Sequence, residues 1–439
     1  MIANKAINIY EKVRVFQRKI YLSAKADKKR KFGVLYDKIY RKDILRVAWY
    51  YVKGNKGSAG IDDLTIKEIE ALGVKEFLND IADQLRKKTY QPKAVKRVYI
   101  PKANGQKRPL GIPTVRDRVV QTAVKLVIEP IFEADFQDFS YGFRPKRSAN
   151  QAIKEIYKYL NFGCEWVIDA DLKGYFDTIP HDKLLLLVKE RVTDKAIIKL
   201  LSLWLEAGIM EENQIRMNLL GTPQGGVISP LLANIYLNAL DRYWTNNQFW
   251  GRRHDAHLVR YADDFVILCS RNPEQYYDYA KRRIQKLGLT LNEDKTRIVH
   301  AREGFDFLGY TIRKSKSYKT GKYKTYYYPS KKSMKSIKSR VKEVIRYGQP
   351  LDLPEVVERL NPILRGWGNY FKTGNSKKHF KSIDNYVAYN LTIMLRKKYK
   401  KSGKGWREHP PSWYYNYFGL ICLRKLTTQV DDDTQRYGR

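Results

Sequence analysis

Cysteines and long apolar runs are scarce in this chain of 439 residues. Its 3 cysteines, Cys164, Cys269 and Cys422, lie far apart, which excludes a disulfide framework and a zinc ribbon. We therefore expect a reducing, intracellular compartment, the cytoplasm, with association to the nucleoid if the protein is bacterial. No run of about 18 apolar residues is present, so a membrane span is not expected. The basic N-terminus has helical spacing of its apolar residues and predicts a folded helix rather than a transit or signal peptide.

Acidic residues are also few, with 46 Asp and Glu against 84 Lys and Arg, for a net charge of +38. Residues 313–439 carry 30 basic and 9 acidic side chains, a net of +21, whereas residues 1–312 carry +17. Hydrophobic residues make up 43 %, so this is a folded rather than a disordered basic chain. A folded protein this basic is expected to bind a polyanion, either a nucleic acid or an anionic membrane, and the absence of a membrane segment favours the nucleic acid.

Hydrophobic periodicity predicts an α+β fold of two or three domains. Helices are expected over most of residues 1–90 and at 115–131, 183–192 and 231–240, and strands at 95–101, 166–171 and 257–269. Residues 315–328 predict a hairpin or loop. Two basic helices, at 331–346 and 381–401, follow it.

Two acidic clusters stand out against the basic background. Asp263 and Asp264 occupy a turn between apolar strands, and a solvated acidic turn is the simplest interpretation of that pair. Asp169 and Asp171 end another apolar strand, where residues two apart point to the same face. Two carboxylates from a hairpin and one from a neighbouring strand are ligands that a pair of Mg²⁺ ions prefers, in a site for in-line phosphoryl transfer.

These clusters lie in blocks that resemble the palm motifs of reverse transcriptases. The sequences of these motifs are most similar to those of the group II intron reverse transcriptases, also called maturases. The resemblance runs from about residue 30 to about residue 400. The three motif blocks are residues 171–177, 221–234 and 261–264. Supporting blocks in the family's order are residues 99–102, 108–114, 140–145, 292–296, 307–310 and 365–371.

The resemblance implies a right-hand polymerase, with fingers and a palm built on an antiparallel sheet in residues 1–312. An α-helical thumb, the maturase-specific domain, would span residues 313–402, and a short basic aromatic tail residues 403–439. Two Mg²⁺ ions would be held by Asp171, Asp263 and Asp264, with Asp169 behind them.

The resemblance also implies a set of nucleotide contacts. Phe176 would be a steric gate that excludes a 2′-hydroxyl; core packing is the alternative, and Tyr175 is then the candidate gate. The other implied contacts are Lys102, Arg108, Gln224 and Lys295, of which the three basic side chains are alternatively solvated surface residues.

Nucleic-acid contacts are expected in both parts of the chain. Arg144 would touch either the template or a structural carboxylate. Gly225 and Gly226 would allow close approach of primer and template, or serve as a loop hinge. The helical region adds basic side chains that would bind RNA, although its aromatic residues, Trp367 among them, fit a core equally well. Those side chains are Lys335, Lys338, Lys342, Arg365, Arg396, Lys397 and Lys398.

The tail departs from the fullest family pattern. Longer members carry a DNA-binding segment and often a nuclease with Cys and His ligands, whereas residues 403–439 have no Cys pair. We therefore expect no nuclease domain here. The aromatic residues around Trp406 and at 413–415 would form a reduced nucleic-acid-binding element.

The expected function is RNA-directed DNA polymerisation. The partners would be dNTPs, an RNA template with a DNA primer, the parent group II intron RNA and a target DNA, with no second protein subunit. The chain would assist splicing and copy the intron at its target, a process called retrohoming. The alternatives are a stand-alone cellular or defence reverse transcriptase and a non-catalytic RNA-binding splicing factor.

Overall fold

The fold is described from a computed structural model. It describes residues 2–101, 105, 107–211, 214–216, 221, 225–245, 256–317, 320–348, 350–400 and 409–426. Within these residues the fold is a mixture of helices and sheets, as the hydrophobic pattern predicts, and the strand pairings are antiparallel except for the parallel pairing of Val95 with Ile209 in the first sheet.

A helical layer forms the N-terminal part of the chain. Its helices are α1 (Ile2–Ala26), α2 (Tyr36–Ile39), α3 (Lys42–Gly54), α4 (Ile66–Leu72) and α5 (Val74–Lys87). They pack around α6 (Val115–Glu133), which is buried on nearly every side. The buried residues of α6 include the polar Asp117, Arg118 and Gln121 as well as apolar ones, so the helix lies in the interior of this layer.

A first sheet lies beside this layer. Its strands are β1 (Val95–Pro101), β2 (Lys107–Ile112), β4 (Ile209–Glu211) and β5 (Gln214–Arg216), in the order β2-β1-β4-β5. β1 and β2 are antiparallel, with Ile100 opposite Arg108, so the hairpin predicted around Gly105 is confirmed.

The central sheet positions the acidic clusters. Its strands are β3 (Trp166–Ala170), β6 (Ala256–Tyr261), β7 (Asp264–Cys269) and β8 (Arg297–His300), in the order β6-β7-β3-β8. Alternate side chains enter two cores: along β7, Phe265 and Ile267 face one core, and Val266 and Leu268 face the other. Because both of its faces are covered, β7 is apolar on both sides after Asp264.

Further helices cover the two faces. Six helices contribute to the core that Phe265 and Ile267 face. They are α6, α8 (Tyr175–Thr178), α9 (His181–Lys189), α10 (Lys195–Glu206), α11 (Ser229–Thr245) and α12 (Pro273–Lys286). The other core contains α7 (Ala149–Asn161) and extends into the C-terminal helices.

The C-terminal part begins with a third sheet of β9 (Phe305–Phe307), β10 (Tyr310–Lys316) and β11 (Tyr323–Pro329), so residues 315–328 form a hairpin. The predicted division after residue 312 falls inside β10, because the second core is continuous across it. The helices that follow are α13 (Lys331–Tyr347), α14 (Leu353–Phe371), α15 (Lys377–Lys398), α16 (Pro411–Tyr417) and a short 3-10 helix (Leu423–Leu426).

Through the described ranges, each helix is too short or too polar to cross a membrane.

Candidate functional site

Two strands of the central sheet bring three aspartates together. β6 and β7 are joined by a tight turn that supplies Asp263, and β7 begins at Asp264. β7 also pairs with β3, with Ala170 opposite Phe265. Because this pairing is antiparallel, the residue after Ala170 comes beside the residue before Phe265. Asp171 therefore lies next to Asp264, as the sequence pattern suggests.

The carboxylates share one electrostatic environment. Desolvation by the surrounding protein, followed by the negative charges of its aspartate neighbours, raises the pKa of Asp264 to about 6. Those neighbours are Asp263, Asp171 and Asp169. Asp264 nevertheless has an exposed side. Part of the raised pKa of Asp264 comes from repulsion among the carboxylates. A bound cation would reverse that part of the pKa shift.

The loop before β8 holds the side chain and backbone of Asp171. Asn292 Nδ2 and Lys295 Nζ each donate to Asp171 Oδ2 at 3.0 Å. The Asn292 N–H also donates to the Asp171 carbonyl at 2.8 Å. Behind this contact, Arg297 Nη2 lies 3.4 Å from Asp169 Oδ2. The structure thus brings Lys295 into contact with Asp171 of the acidic cluster. Asp169 lies behind this contact, beside Arg297.

The acidic cluster fits Mg²⁺ by its chemistry and charge. No three His, Cys, Asp or Glu side chains of the described residues converge closely enough to enclose a metal. Asp171 Oδ2 accepts hydrogen bonds from Lys295 and Asn292. Mg²⁺ seldom needs a closed protein cage, because it keeps waters and substrate phosphates as ligands. The cluster supplies carboxylate oxygens, and after desolvation its negative charges are the next largest cause of the raised pKa of Asp264.

Sequence reasoning missed the buried group that supports this turn. Arg260 and Asp241 are both fully buried, and Arg260 Nε donates to Asp241 Oδ1 at 2.9 Å. Arg260 Nη1 reaches the Ala262 carbonyl at 2.9 Å and Asn234 Oδ1 at 3.0 Å. A lone arginine in an apolar strand needs a buried partner, and that signal was available in the sequence.

A glycine packs against the same turn from the other side. Asn234 Nδ2 donates to the Gly142 carbonyl at 2.8 Å. A Cβ on Gly142 would lie 2.3 Å from the Ala262 nitrogen, so only glycine fits this close approach. Ala262 has a φ of 57°, which adds to the tight geometry of the turn.

The structure separates the two candidate gate residues. Tyr175 is 2 % exposed, and its hydroxyl donates to the Ala233 carbonyl at 2.6 Å. Tyr175 is therefore a core residue and cannot face a nucleotide. Phe176 is half-buried and packs edge-on against Tyr175 with ring centroids 5.4 Å apart, so part of its ring remains accessible.

Part of the predicted nucleotide site lies outside the described residues. This applies to Lys102, to Gln224 and to the side chain of Arg108. Gly225, with a φ of 115°, packs against the Gly111 carbonyl, which a Cβ would approach to 2.3 Å. Gly226 is buried. In this structure the tight approach at Gly225 is therefore to β2 of the first sheet.

Arg144 requires a correction. Its guanidinium makes a bidentate contact with Glu133, at 3.0 Å and 2.8 Å, and also donates to the carbonyls of Gln137 and Ser140. The residue is 7 % exposed. Of the two roles left open by the sequence, the contact with a structural carboxylate, Glu133, is the one that the structure shows.

The predicted RNA-binding cations are distributed over three helices. Lys335, Lys338 and Lys342 lie on α13, Arg365 lies on α14, and Arg396, Lys397 and Lys398 lie at the end of α15. Lys398 forms an ion pair with Asp352 at 2.9 Å, which ties α15 to the start of α14. Trp367 is partly buried against the core, as the core alternative predicts. The same region also has exposed lysines, such as Lys335 and Lys342.

The described part of the tail buries Tyr414 and exposes Tyr417, whose exposed fraction is 77 %. Tyr414 is fully buried, and its hydroxyl lies 2.8 Å from Thr392 Oγ1 of α15. Trp413 and Tyr415 pack against the same core. The prediction of an aromatic binding element at 413–415 is wrong for Tyr414, and Trp406 lies outside the described residues.

Comparison with known proteins defines the class. A family model described as "Reverse transcriptase (RNA-dependent DNA polymerase)" matches residues 100–312. A second, described as "Group II intron, maturase-specific domain", matches residues 334–410. The first model covers the central sheet with its aspartates, and the second covers most of the C-terminal helices.

Curated relatives narrow the class to a family. "Protein YkfC" of Escherichia coli K12 is 36 % identical over 337 residues, which cover 69 % of this chain and 88 % of YkfC. "Group II intron-encoded protein LtrA" of Lactococcus lactis is 33 % identical over 350 residues, 65 % of this chain and 57 % of LtrA. The "Putative COX1/OXI3 intron 2 protein" of Saccharomyces cerevisiae is 31 % identical over 329 residues, 62 % of this chain and 38 % of that protein. The chain belongs to the group II intron-encoded reverse transcriptase and maturase family.

Proposed function

We propose that this protein is an RNA-directed DNA polymerase that extends a DNA primer on an RNA template with dNTPs. It binds its parent group II intron RNA, assists splicing and copies the intron at a DNA target. The observation that carries this proposal is the placement of Asp171 beside Asp264 at the end of the central sheet.

The mechanism assigns separate tasks to the residues of the site. Asp171, Asp263 and Asp264 would hold the divalent ions, which when bound would stabilise charge on the attacking 3′ oxygen and the departing pyrophosphate. Lys295, with its Nζ 3.0 Å from Asp171 Oδ2, is in place to donate to the triphosphate. The accessible part of the Phe176 ring excludes the 2′-hydroxyl of a ribonucleotide.

In this proposal the chain is divided as in a right-hand polymerase. Residues 1–312 form the fingers and palm, residues 313–402 the thumb, and residues 403–439 a short tail on the thumb. The basic C-terminal helices bind RNA largely through phosphate neutralisation.

The match to a maturase-specific domain at residues 334–410 favours the intron role over a stand-alone reverse transcriptase. A purely RNA-binding splicing factor would not require the acidic cluster. A group of carboxylates repels the phosphates of a bound RNA unless metal ions neutralise it.

Primer extension on an RNA template tests the polymerase. The wild-type protein is expected to extend the primer with dNTPs in Mg²⁺, and Asp264→Asn to abolish extension. Asp278→Asn, an exposed position on α12, is the matched control and retains activity. Robust extension by Asp264→Asn would overturn the assignment.

Mapping the cellular RNAs that crosslink to the protein tests the intron role. A single dominant group II intron is the expected result. Crosslinks spread over unrelated RNAs, with primer extension intact, would instead support the stand-alone polymerase.

A further inference from the structure

Helix α13 lies between two grooves and presents cations to each. Seen down the helix at about 100° per residue, Ser333 and Arg340 are on the side opposite Lys331, Lys335 and Lys338. The first groove, of about 560 Å³, runs along α14; its lining includes Ser333, Arg340, Trp367 and Tyr370. The second, of about 760 Å³, lies between α13, β11 and the start of α15; its lining includes Asp306, Tyr328, Lys331, Lys335, Lys338 and His379. We call this second one the His379 groove.

The cations of the His379 groove are available to an anion. Lys331 and Lys335 are exposed, and Lys338 Nζ lies 5.4 Å above the Tyr386 ring. In the parts of the chain that the structure describes, none of these three lysines has a carboxylate within the 4.0 Å of an ion pair. A phosphate therefore finds donors here that are not already neutralised.

One wall of this groove is aromatic and uncharged. The rings of Tyr328 and His379 stack with centroids 4.9 Å apart and planes 11° apart. Desolvation, followed by the charge of Lys378, lowers the pKa of His379, which favours the neutral imidazole. Stacked neutral rings of this kind suit an unpaired base, because every base offers a flat face.

Asp306 adds a hydrogen-bond acceptor to the lining of the His379 groove. Asp306 Oδ1 accepts a hydrogen bond from the Thr311 hydroxyl at 2.5 Å. A carboxylate in a basic groove disfavours an acidic peptide or a bare phosphate beside it. It suits a ligand that brings its own donor, and the ribose 2′-hydroxyl is such a donor.

We propose that the His379 groove binds an unpaired ribonucleotide of a folded RNA, on the opposite side of α13 from the first groove, which Trp367 lines. The phosphates lie on Lys335 and Lys338, the base stacks on the Tyr328 and His379 wall, and the 2′-hydroxyl donates to Asp306. This assignment deepens the proposed function and rests on its RNA-binding part.

The first test measures binding of the full chain to a short unpaired RNA at several salt concentrations. The double variant Lys335→Ala/Lys338→Ala is expected to lose about tenfold in affinity. The slope of log affinity against log salt should fall by about 1.4, since two phosphate contacts on a single strand are lost. The matched control, Lys332→Ala/Arg346→Ala, removes the same charge from exposed positions of α13 that do not line the groove. Equal losses in both variants would overturn the site and leave only a diffuse basic surface.

A second test addresses the base and the sugar. His379→Ala is expected to weaken RNA binding about tenfold through lost stacking. Asp306→Asn should reduce the preference for RNA over a DNA of the same sequence. Equal wild-type affinity for the RNA and the DNA would overturn ribonucleotide recognition.

Primer extension by the wild-type protein keeps the two proposals separate. A wild-type protein that shows the expected groove dependence but extends no primer would overturn the polymerase alone. Extension by the wild-type protein, together with unchanged RNA binding in all the groove variants, would overturn the groove assignment alone.

Discussion

Arg260 and Asp241 form a fully buried ion pair directly behind the turn that carries Asp263 and Asp264. Arg260 also donates to the carbonyl of Ala262 within that turn. The buried Arg260 guanidinium, which has no access to solvent, thus holds the acidic turn from the protein interior. A rigid support of this kind holds carboxylates in place when they repel one another.

We expect Asp241→Asn to destabilise the protein strongly. The change leaves the Arg260 guanidinium buried without its counter-charge, and breaking a buried pair in this way costs about 3–5 kcal/mol. Urea unfolding followed by tryptophan fluorescence measures the loss.

The neighbouring residue provides the control for this prediction. Arg242 forms an exposed ion pair with Glu190, in which the two side chains are 40 % and 48 % exposed. Arg242→Gln should therefore change stability by no more than about 1 kcal/mol. Similar losses in the two variants would contradict a special role for the buried pair.

Gly142→Ala is expected to impair primer extension while the protein stays folded. The added Cβ would meet the Ala262 nitrogen at 2.3 Å, so the catalytic turn must move. A displacement of about 1 Å at a reacting centre can cost about 100-fold in rate. Gly54→Ala, where nothing lies within 4 Å, should extend primers like the wild type. Single-turnover extension rates distinguish the two variants, and a normal rate for Gly142→Ala would count against the tight contact.

Local patterns were sufficient to predict the acidic hairpin. Alternating apolar residues on both sides of Asp263 and Asp264 specify two strands and a turn, and the observed strands begin at Ala256 and end at Cys269. The pairing of β7 with β3, which brings Asp171 to the same place, follows from burying both faces of these strands.

Features that depend on distant partners were not predictable in the same way. The buried partners of Arg260 and Arg144 are set by tertiary packing, and the sequence offered several carboxylates for each. The aromatic tail was interpreted as a binding element because its composition suits one. Its burial depends on contacts with α15 such as that between Tyr414 and Thr392.

Phe176→Val is expected to relax selection between deoxy- and ribonucleotides. The smaller side chain removes the ring that would clash with a 2′-hydroxyl, and one well-placed contact of this kind is worth about 10–200-fold in discrimination. Tyr175→Phe is the matched control, since Tyr175 is buried and loses only its hydrogen bond to Ala233. Competitive incorporation of dNTPs and NTPs measures the ratio. An unchanged ratio in Phe176→Val would show that another residue acts as the gate.

Asp384 on α15 anchors the described part of the tail. The residue is 3 % exposed, and it accepts hydrogen bonds from the Leu423 N–H at 2.9 Å and the Arg424 N–H at 3.2 Å. Asp384→Ala leaves these donors unsatisfied at a cost of about 1–3 kcal/mol. Hydrogen exchange should then become faster at Leu423 and Arg424, with little change in α13.

Asp352→Ala tests whether loss of any carboxylate in this region has the same effect. Asp352 is 81 % exposed and pairs with Lys398 at 2.9 Å, and exposed pairs contribute little to stability. Exchange at Leu423 and Arg424 should therefore remain slow in this variant. If both variants accelerate exchange equally, the tail is held by general charge balance. If only Asp384→Ala does so, a single buried carboxylate attaches the tail to α15.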